Sequence, residues 1–422
     1  MKFKPRPQPT SGHHKQSRPF GDVVAPLKPN PSFNPIPDIH KQPPLLVYDL
    51  SDALHPDQIN TIKNAKKLVF HCVGDTGGIH GEETQEELAS QMAEQINQAA
   101  SPGDAASFFF HLGDVVYFNG LEGDYQDQFY GPYKSYPAHI FAIPGNHDGQ
   151  TKVQKGDQPD NEPSLTGFFK NFCAPFRSFT DDSPYRHTMD QPWPYWSLDA
   201  PFITIIGLYS NVDGSLDDTR SKSHNHIQYL WFVDQLKKAD PNKCLMLAVH
   251  HPPYSMDTAH GGYEDILDAI DQASSEANRT PDAVFTGHVH NYQRFTRTTP
   301  DGKQFPYVIA GAGGYANSDR SMHKLQKDPN GGAIPPNFAT LQQGVTLAAY
   351  NTHEPGFLRI TVDENNLVAE YFTGTFNNND SNKSSHHHPG TANTGTTNAA
   401  NDAGPVKLFD TFKLNWKTHK LS

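Results

Sequence analysis

The chain has 422 residues, a net charge of −12 at pH 7 and 35% hydrophobic residues, with a mean hydropathy of −0.67. That length suits one large α/β domain with extensions, or two domains. The acidic balance argues against a general nucleic-acid groove but not against an anionic substrate, because bound metal ions invert the local field.

Residues 1–44 are rich in Pro, with basic and polar residues between, and residues 376–404 are mostly Asn, Ser, Thr, Gly and His. Neither stretch can bury enough apolar surface to offset its ordering entropy, so both are expected to be disordered or loop-like. Lys2, Lys4 and Arg6 have no apolar run behind them, so the N-terminus reads as neither a secretory signal nor an anchor. No segment approaches a membrane span. Cytoplasm is the default expectation, with a secreted or periplasmic mature form still open. Three cysteines (Cys72, Cys173 and Cys244) cannot make a full disulfide framework. Cys72 and Cys244 fall inside predicted strands and read as small buried hydrophobes.

Lys67–Gly74 is the first predicted core strand. Glu83–Ala99 reads as a helix, with acidic residues in its first turn and Leu88, Met92 and Ile96 on one face. Ser107–Gly113, His139–Pro144 and Phe202–Leu208 are further strands. His226–Lys238 is a helix with Leu230, Val233 and Leu236 expected inward. Lys243–Val249 is a strand, Gly262–Ser274 a helix and Ala283–Thr286 a short strand. This alternation implies βα units and a buried mixed sheet. Tyr307–Ala310, Val345–Tyr350, Phe357–Val362, Leu367–Phe372 and Val406–Leu414 then read as strands, with a hairpin turn at Asp363–Asn366. The expected fold class is α/β: a four-layer α/β/β/α sandwich of two mixed β-sheets flanked by helices. Its domain spans 45–375, and residues 405–422 return to it as a final strand and tail after the 376–404 insertion.

Five clusters of metal-ligand residues punctuate this pattern. They are Gly74-Asp75-Thr76-Gly77, Gly113-Asp114-Val115-Val116-Tyr117, Gly145-Asn146-His147-Asp148, His250-His251 and Gly287-His288-Val289-His290. Each lies at a predicted strand end, and α/β sheets bind ligands at the carboxyl ends of their strands. One such motif alone reads as a turn with a structural histidine. Five in order read as a site for two metal ions, which need a bridging carboxylate and separate ligands on either side. Asp114, the middle carboxylate, is the natural bridge.

This series resembles the calcineurin-like metallophosphoesterase superfamily, and within it the purple acid phosphatase branch, over roughly Lys67 to Phe372 and the last strand. Most of the superfamily begins with Asp-x-His; Gly77 stands where that histidine would be. The purple branch uses Gly-Asp-x-Gly and Gly-Asp-x-x-Tyr, as at Asp75 to Gly77 and Asp114 to Tyr117. The resemblance implies the metallo-dependent phosphatase fold. It also implies a first metal held by Asp75, Asp114, Tyr117 and His290, and a second by Asp114, Asn146, His250 and His288. A phenolate ligand favours Fe(III) at the first site; Fe(II), Zn(II) or Mn(II) suits the second. The implied reaction is hydrolysis of a phosphate monoester by a metal-bound hydroxide. His147 resembles the family's substrate-contacting histidine. His260, ten residues after His250, matches on spacing a histidine placed to contact phosphate or protonate the leaving alcohol.

Blander readings stand beside these. Tyr117 could be a core tyrosine, leaving His71 or His80 as the nearest substitute ligands. His251 and Arg294 read as structural, and Asp148 as a residue that orients His147 or caps a turn. Gly311-Ala312-Gly313-Gly314 reads as a close approach of backbone to the site, and His386-His387-His388 as incidental. The implied partner is a small phosphate ester or phosphorylated substrate. Specificity would lie in the loops Gln150–Ser164, Thr180–Pro194 and Asn317–Pro336. The alternatives are a phosphodiesterase or nucleotidase with two divalent ions, and a non-catalytic metal- or phosphate-binding protein. Oligomeric state is not legible.

Overall fold

The computed structural model describes residues 36, 45–78, 82–151, 162–180, 184–216, 227–315, 322–328, 330–374 and 406–422. The predicted N-terminal extension (apart from Ile36), the 376–404 insertion, His80, His226, His386 to His388 and parts of the three specificity loops lie outside the described residues.

The chain opens with β1 (Val47–Asp49), α1 (Leu50–Ala53), α2 (Pro56–Ala65), β2 (Lys67–Val73) and α3 (Glu83–Asn97). There follow β3 (Phe108–His111), a π-helical turn at Gln126–Tyr130, β4 (His139–Ala142), α4 (Asn146–Gly149) and α5 (Thr166–Phe172). Next come β5 (Trp196–Ala200), β6 (Ile203–Leu208), α6 (Ile227–Lys238), β7 (Cys244–Val249), α7 (Glu264–Ala277) and β8 (Ala283–Thr286). The last part is all β: β9 (Tyr292–Thr298), β10 (Gln304–Ala310), β11 (Phe338–Ala339), β12 (Val345–Asn351), β13 (Gly356–Asp363), β14 (Asn366–Thr373), β15 (Lys407–Asn415) and β16 (Lys420–Leu421).

Two mixed sheets form, as expected. The nine-stranded sheet runs β1-β5-β6-β7-β8-β10-β9-β12-β11, and the seven-stranded sheet runs β16-β15-β14-β13-β2-β3-β4. Within them β6, β7, β8 and β10 are parallel neighbours, as are β2, β3 and β4. β7 shows why its sequence reads as a continuous apolar run. Cys244, Met246 and Ala248 join the core shared with the other sheet, while Leu245, Leu247 and Val249 pack on the opposite side with Phe232 of α6 and Ile266 and Ile270 of α7. Leu88 and Met92 of α3 and Ile59 and Ile62 of α2 join the core with the strands of the seven-stranded sheet. The final strand β15 does return, pairing antiparallel with β14. Arg294 is structural: its guanidinium donates from Nε and a terminal nitrogen to Asp410 of β15 at 2.8 and 3.0 Å.

One helix face differs from expectation. Leu230 is 62% exposed, while Tyr229, Phe232, Val233 and Leu236 are buried. The 3.6-residue period sets the phase: the stripe through 229, 232, 233 and 236 faces the sheet and turns Leu230 to solvent. The helix ends follow ordinary chemistry. Glu264 and Asp265 occupy the first turn of α7, and Asn278 closes it in the left-handed region. Asp363 makes the β13–β14 turn by accepting from the backbone N–H groups of Asn365 and Asn366. Among the described residues no helix is long and apolar enough to cross a membrane.

A buried bidentate pair joins the nine-stranded sheet to its covering helix. Arg297 of β9 donates to both carboxylate oxygens of Asp271 on α7 at 2.7 and 2.9 Å. Arg297→Leu strands a buried carboxylate and is expected to cost about 3–5 kcal/mol. Adding Asp271→Leu should recover much of that loss. Urea unfolding of the single and double variants checks this, and equal midpoints would show that the pair is not the source.

Candidate metal centre

The five clusters meet where the carboxyl ends of the two sheets come together. Asp75, Asp114 and Asn146 follow β2, β3 and β4 of the seven-stranded sheet; His250 follows β7, and His288 and His290 follow β8, of the nine-stranded sheet. Backbone hydrogen bonds fix this meeting. Gly74 N–H donates to the Ala310 carbonyl at 2.9 Å, and Gly313 N–H to the Gly74 carbonyl at 3.1 Å. Within one sheet's loops, Asp75 N–H reaches the Gly113 carbonyl at 2.9 Å. The 311–314 stretch does approach closely: a side chain on Gly311 would meet Asp75 Oδ2 at 2.8 Å, and one on Gly313 the Gly74 carbonyl at 2.4 Å.

Asp75, Asp114 and His288 hold left-handed backbone, with φ of 59°, 53° and 68°. Non-glycine residues adopt this conformation at a cost of about 1–3 kcal/mol each, and such strain clusters at functional sites. At Asp75 the turn aims the carboxylate so that both oxygens accept the His288 N–H, at 3.0 and 2.8 Å.

The residues of the first expected set contact one another. Tyr117 Oη lies 3.1 Å from Asp75 Oδ1 and 3.2 Å from His290 Nε2, and His290 Nε2 is 3.5 Å from Asp75 Oδ1. Those of the second set do too. His250 Nε2 is 3.3 Å from Asp114 Oδ2 and 3.2 Å from Asn146 Oδ1, and His288 Nδ1 is 2.9 Å from that same oxygen. Asp114, His250 and His288 offer ligand atoms all within 4.8 Å of one another. His288 and His290 thus divide between the two groups.

Tyr117 occupies the room that position 77 leaves. A side chain on Gly77 would meet the Tyr117 ring at 2.8 Å and Gln128 Oε1 at 2.6 Å. Gln128 in turn clamps the Tyr117 backbone, accepting from its N–H at 2.8 Å and donating to its carbonyl at 2.6 Å. The absent histidine and the present tyrosine are therefore one steric arrangement. The substitutes considered for Tyr117 do not compete among the described residues: His71 is fully buried elsewhere, bonded to Tyr136 and Gln95. His251 is structural, its Nδ1 2.7 Å from Ser210 Oγ, though its ring packs 4.3 Å from that of His288. Asp148 caps its turn, accepting from the N–H groups of Gly145, Val115 and Val116.

His147 is half-buried at the rim. Its backbone N–H donates to Asp114 Oδ1 at 2.9 Å and its Nδ1 to the Phe118 carbonyl at 2.8 Å. The His260 ring lies 4.5 Å from that of His288. Sequence reading misses three groups at this site. Tyr263 Oη bonds His288 Nε2 at 2.8 Å, Gln128 clamps Tyr117, and His323 stacks on His290. None belongs to a motif; chain topology alone brings them in.

The electrostatics call for cations. Burial pushes Asp75 up to about 7, with the Asp114 charge adding to the rise and His250 opposing it. Burial also acts to raise Asp114, but His250, His147 and their hydrogen bonds outweigh it and hold its carboxyl below the usual range. Burial lowers His250, yet the Asp114 and Asp75 carboxylates hold it up at about 9. Burial pushes His288 and His290 well down and Tyr117 well up, the two carboxylates adding to the rise of Tyr117. The donor set fits metal ions on a separate ground. The Leu112 carbonyl can only accept, so His250 Nδ1, 2.8 Å away, donates to it. The raised ring carries its second proton on Nε2, which faces two oxygens, Asp114 Oδ2 and Asn146 Oδ1. A metal ion in the place of that proton would find one imidazole nitrogen and two oxygens already converging on it.

The comparisons with known proteins agree with this geometry. The family model for calcineurin-like phosphoesterases matches residues 38–292, more than half of the chain and a span that holds all five clusters. Purple acid phosphatase 21 of Arabidopsis thaliana is 32% identical over 139 residues, 31% of this chain and 29% of that protein. Purple acid phosphatase 1 of Ipomoea batatas is 25% identical over 243 residues, 55% of this chain and 44% of that protein. The solved structure of purple acid phosphatase PPD1 from yellow lupin (Lupinus luteus) seeds shares the fold, with a TM-score of 0.51 at 16% identity, covering 83% of this chain and 54% of that one. The chain spans less than half the length of these curated relatives. With the family match covering every expected ligand position, the chain belongs to the calcineurin-like phosphoesterase family.

Proposed function

We propose that this chain is a phosphatase that hydrolyses phosphate monoesters at a site for two metal ions. The observation that supports the reading best is the convergence of Asp75, Asp114, Tyr117, Asn146, His250, His288 and His290 from two sheets onto one buried rim. Asp114 belongs to both ligand groups in this reading and bridges them. Tyr117 completes the first group, which favours Fe(III); the second group suits Fe(II), Zn(II) or Mn(II). Two bound ions would polarise the phosphoryl oxygens and supply a water acidic enough to attack near neutral pH.

The protein's own groups do the rest. The Leu112 carbonyl holds His250 with Nε2 turned inward, and Tyr263 holds His288 by its outer nitrogen. His147, anchored through Nδ1 to the Phe118 carbonyl, keeps Nε2 for a phosphoryl oxygen. His260, packed beside His288, is placed to contact the phosphate or to give a proton to the leaving alcohol. A small phosphate ester or a phosphorylated substrate is the partner.

Three outcomes follow. Iron-loaded protein is expected to be coloured by tyrosinate-to-iron(III) charge transfer, and Tyr117→Phe to lose the visible band; active, colourless, iron-free protein would reassign the first metal. Asp114→Asn is expected to lower bound metal from two ions per chain to one or none by elemental analysis, with activity falling about 100-fold or more, since metal stabilises several kcal/mol of transition-state charge. Rates on an aryl phosphate and on its bis-aryl diester test the substrate class, and a strong preference for the diester defeats the monoesterase assignment.

A further inference from the structure

Sequence reading gives residues 322–328 no chemistry, yet the fold lays them along the rim. Thr258 N–H donates to the Lys324 carbonyl at 2.9 Å, Gln326 N–H to the Met256 carbonyl at 2.8 Å and His323 N–H to the His290 carbonyl at 3.1 Å. Gln326 also donates from Nε2 to the Asp257 carbonyl at 2.9 Å. These bonds stitch the segment to the strip that carries His260 and to the loop that carries His290. They place the His323 ring against His290, with centroids 4.4 Å apart and 25° between the planes, and 5.2 Å from the His260 ring.

Asp257 organises this corner. It is fully buried, and its Oδ2 accepts from the N–H groups of Ala259 and His260, both at 2.8 Å. The same oxygen lies 3.5 Å from His323 Nδ1. One carboxylate therefore sets both His260 and His323. His71, a structural histidine, looks different: it is fully buried, with both ring nitrogens bonded within the protein. The His323 side chain instead keeps 25% of its surface exposed and turns its Nδ1 edge toward Asp257, which leaves Nε2 as the edge on the far side of the ring.

We infer that His323 is a further substrate-contacting residue of this site, with Nε2 donating to a phosphoryl oxygen of the bound ester, and that Asp257 is the positioning residue for both His323 and His260. The inference rests on the phosphate-ester reading above and deepens it. A phosphate monoester suits such a corner: with some of its oxygens engaged by His147 and by bound ions, it would still present an anionic edge to the side where His260 and His323 stand.

The test uses full-length, metal-loaded protein, with His323→Ala and with His323→Gln, which keeps an N–H donor. Metal content, melting temperature, the Kd of inorganic phosphate, and kcat and KM on an aryl phosphate are read for each. His323→Ala is expected to raise the phosphate Kd and to lower kcat/KM about tenfold or more, the scale of a charge-assisted hydrogen bond, with metal content and melting temperature unchanged. His323→Gln should recover part of both losses. Two results overturn the inference: an alanine variant that matches wild type in Kd and kcat/KM, or one whose loss of activity tracks a loss of metal, which would make His323 mere packing for His290. If wild type binds phosphate but turns over no ester, the phosphatase reading falls while the Kd comparison still decides His323. If metal-loaded wild type binds no phosphate, both fall.

Discussion

Two carboxylates, Asp75 and Asp114, stand buried with no lysine or arginine paired to them among the described residues. Among the described residues their ion-pair partners are the imidazoles of His290 and His250. Burying charge is costly unless it is paired, and an imidazole is a weak and conditional partner. Much of the local structure answers this constraint. Backbone N–H groups of His288 and His147 point at the carboxylate oxygens. The backbone at Asp75, Asp114 and His288 takes the left-handed turn that makes the aim possible. Asp148, equally buried, shows the contrast. It gathers three backbone N–H donors, from Gly145, Val115 and Val116, and closes the turn, although burial still pushes its carboxyl up to about 7.

The same economy of space explains the tyrosine. The ring of Tyr117 and the amide of Gln128 fill the volume next to Gly77. Any side chain at position 77 would have to displace one of them. The phenol oxygen then reaches Asp75 and His290. Gln128 comes from a π-helical turn, an irregular element that is frequent at functional sites.

Residues in strong local patterns were legible, and residues recruited by topology were not. β2, β3 and β7 read clearly because both their faces are buried, which makes an unbroken apolar run. The ligand clusters read clearly because each sits directly after such a run. β9 hid behind Arg294 and Arg297, whose charges are matched by Asp410 and Asp271 far along the chain. α2 hid because Ile59 and Ile62 are its only buried residues. β1 is short and forms the outer edge of its sheet. Leu230 was placed on the wrong face because spacing alone did not fix the phase of α6. At the site, Gln128, Tyr263 and His323 act through single contacts that no spacing rule anticipates, while His147 and His260 were found at the rim the motifs implied.

The bond from the His288 N–H to Asp75 spans 213 positions of sequence. Closing so long a loop costs entropy that local structure cannot recover, and contacts of this separation slow folding. The two halves of the centre ride on different sheets, and neither half holds a complete ligand group. The candidate centre is therefore complete only when both sheets are in place. A chain that lacks either sheet keeps only part of the cluster.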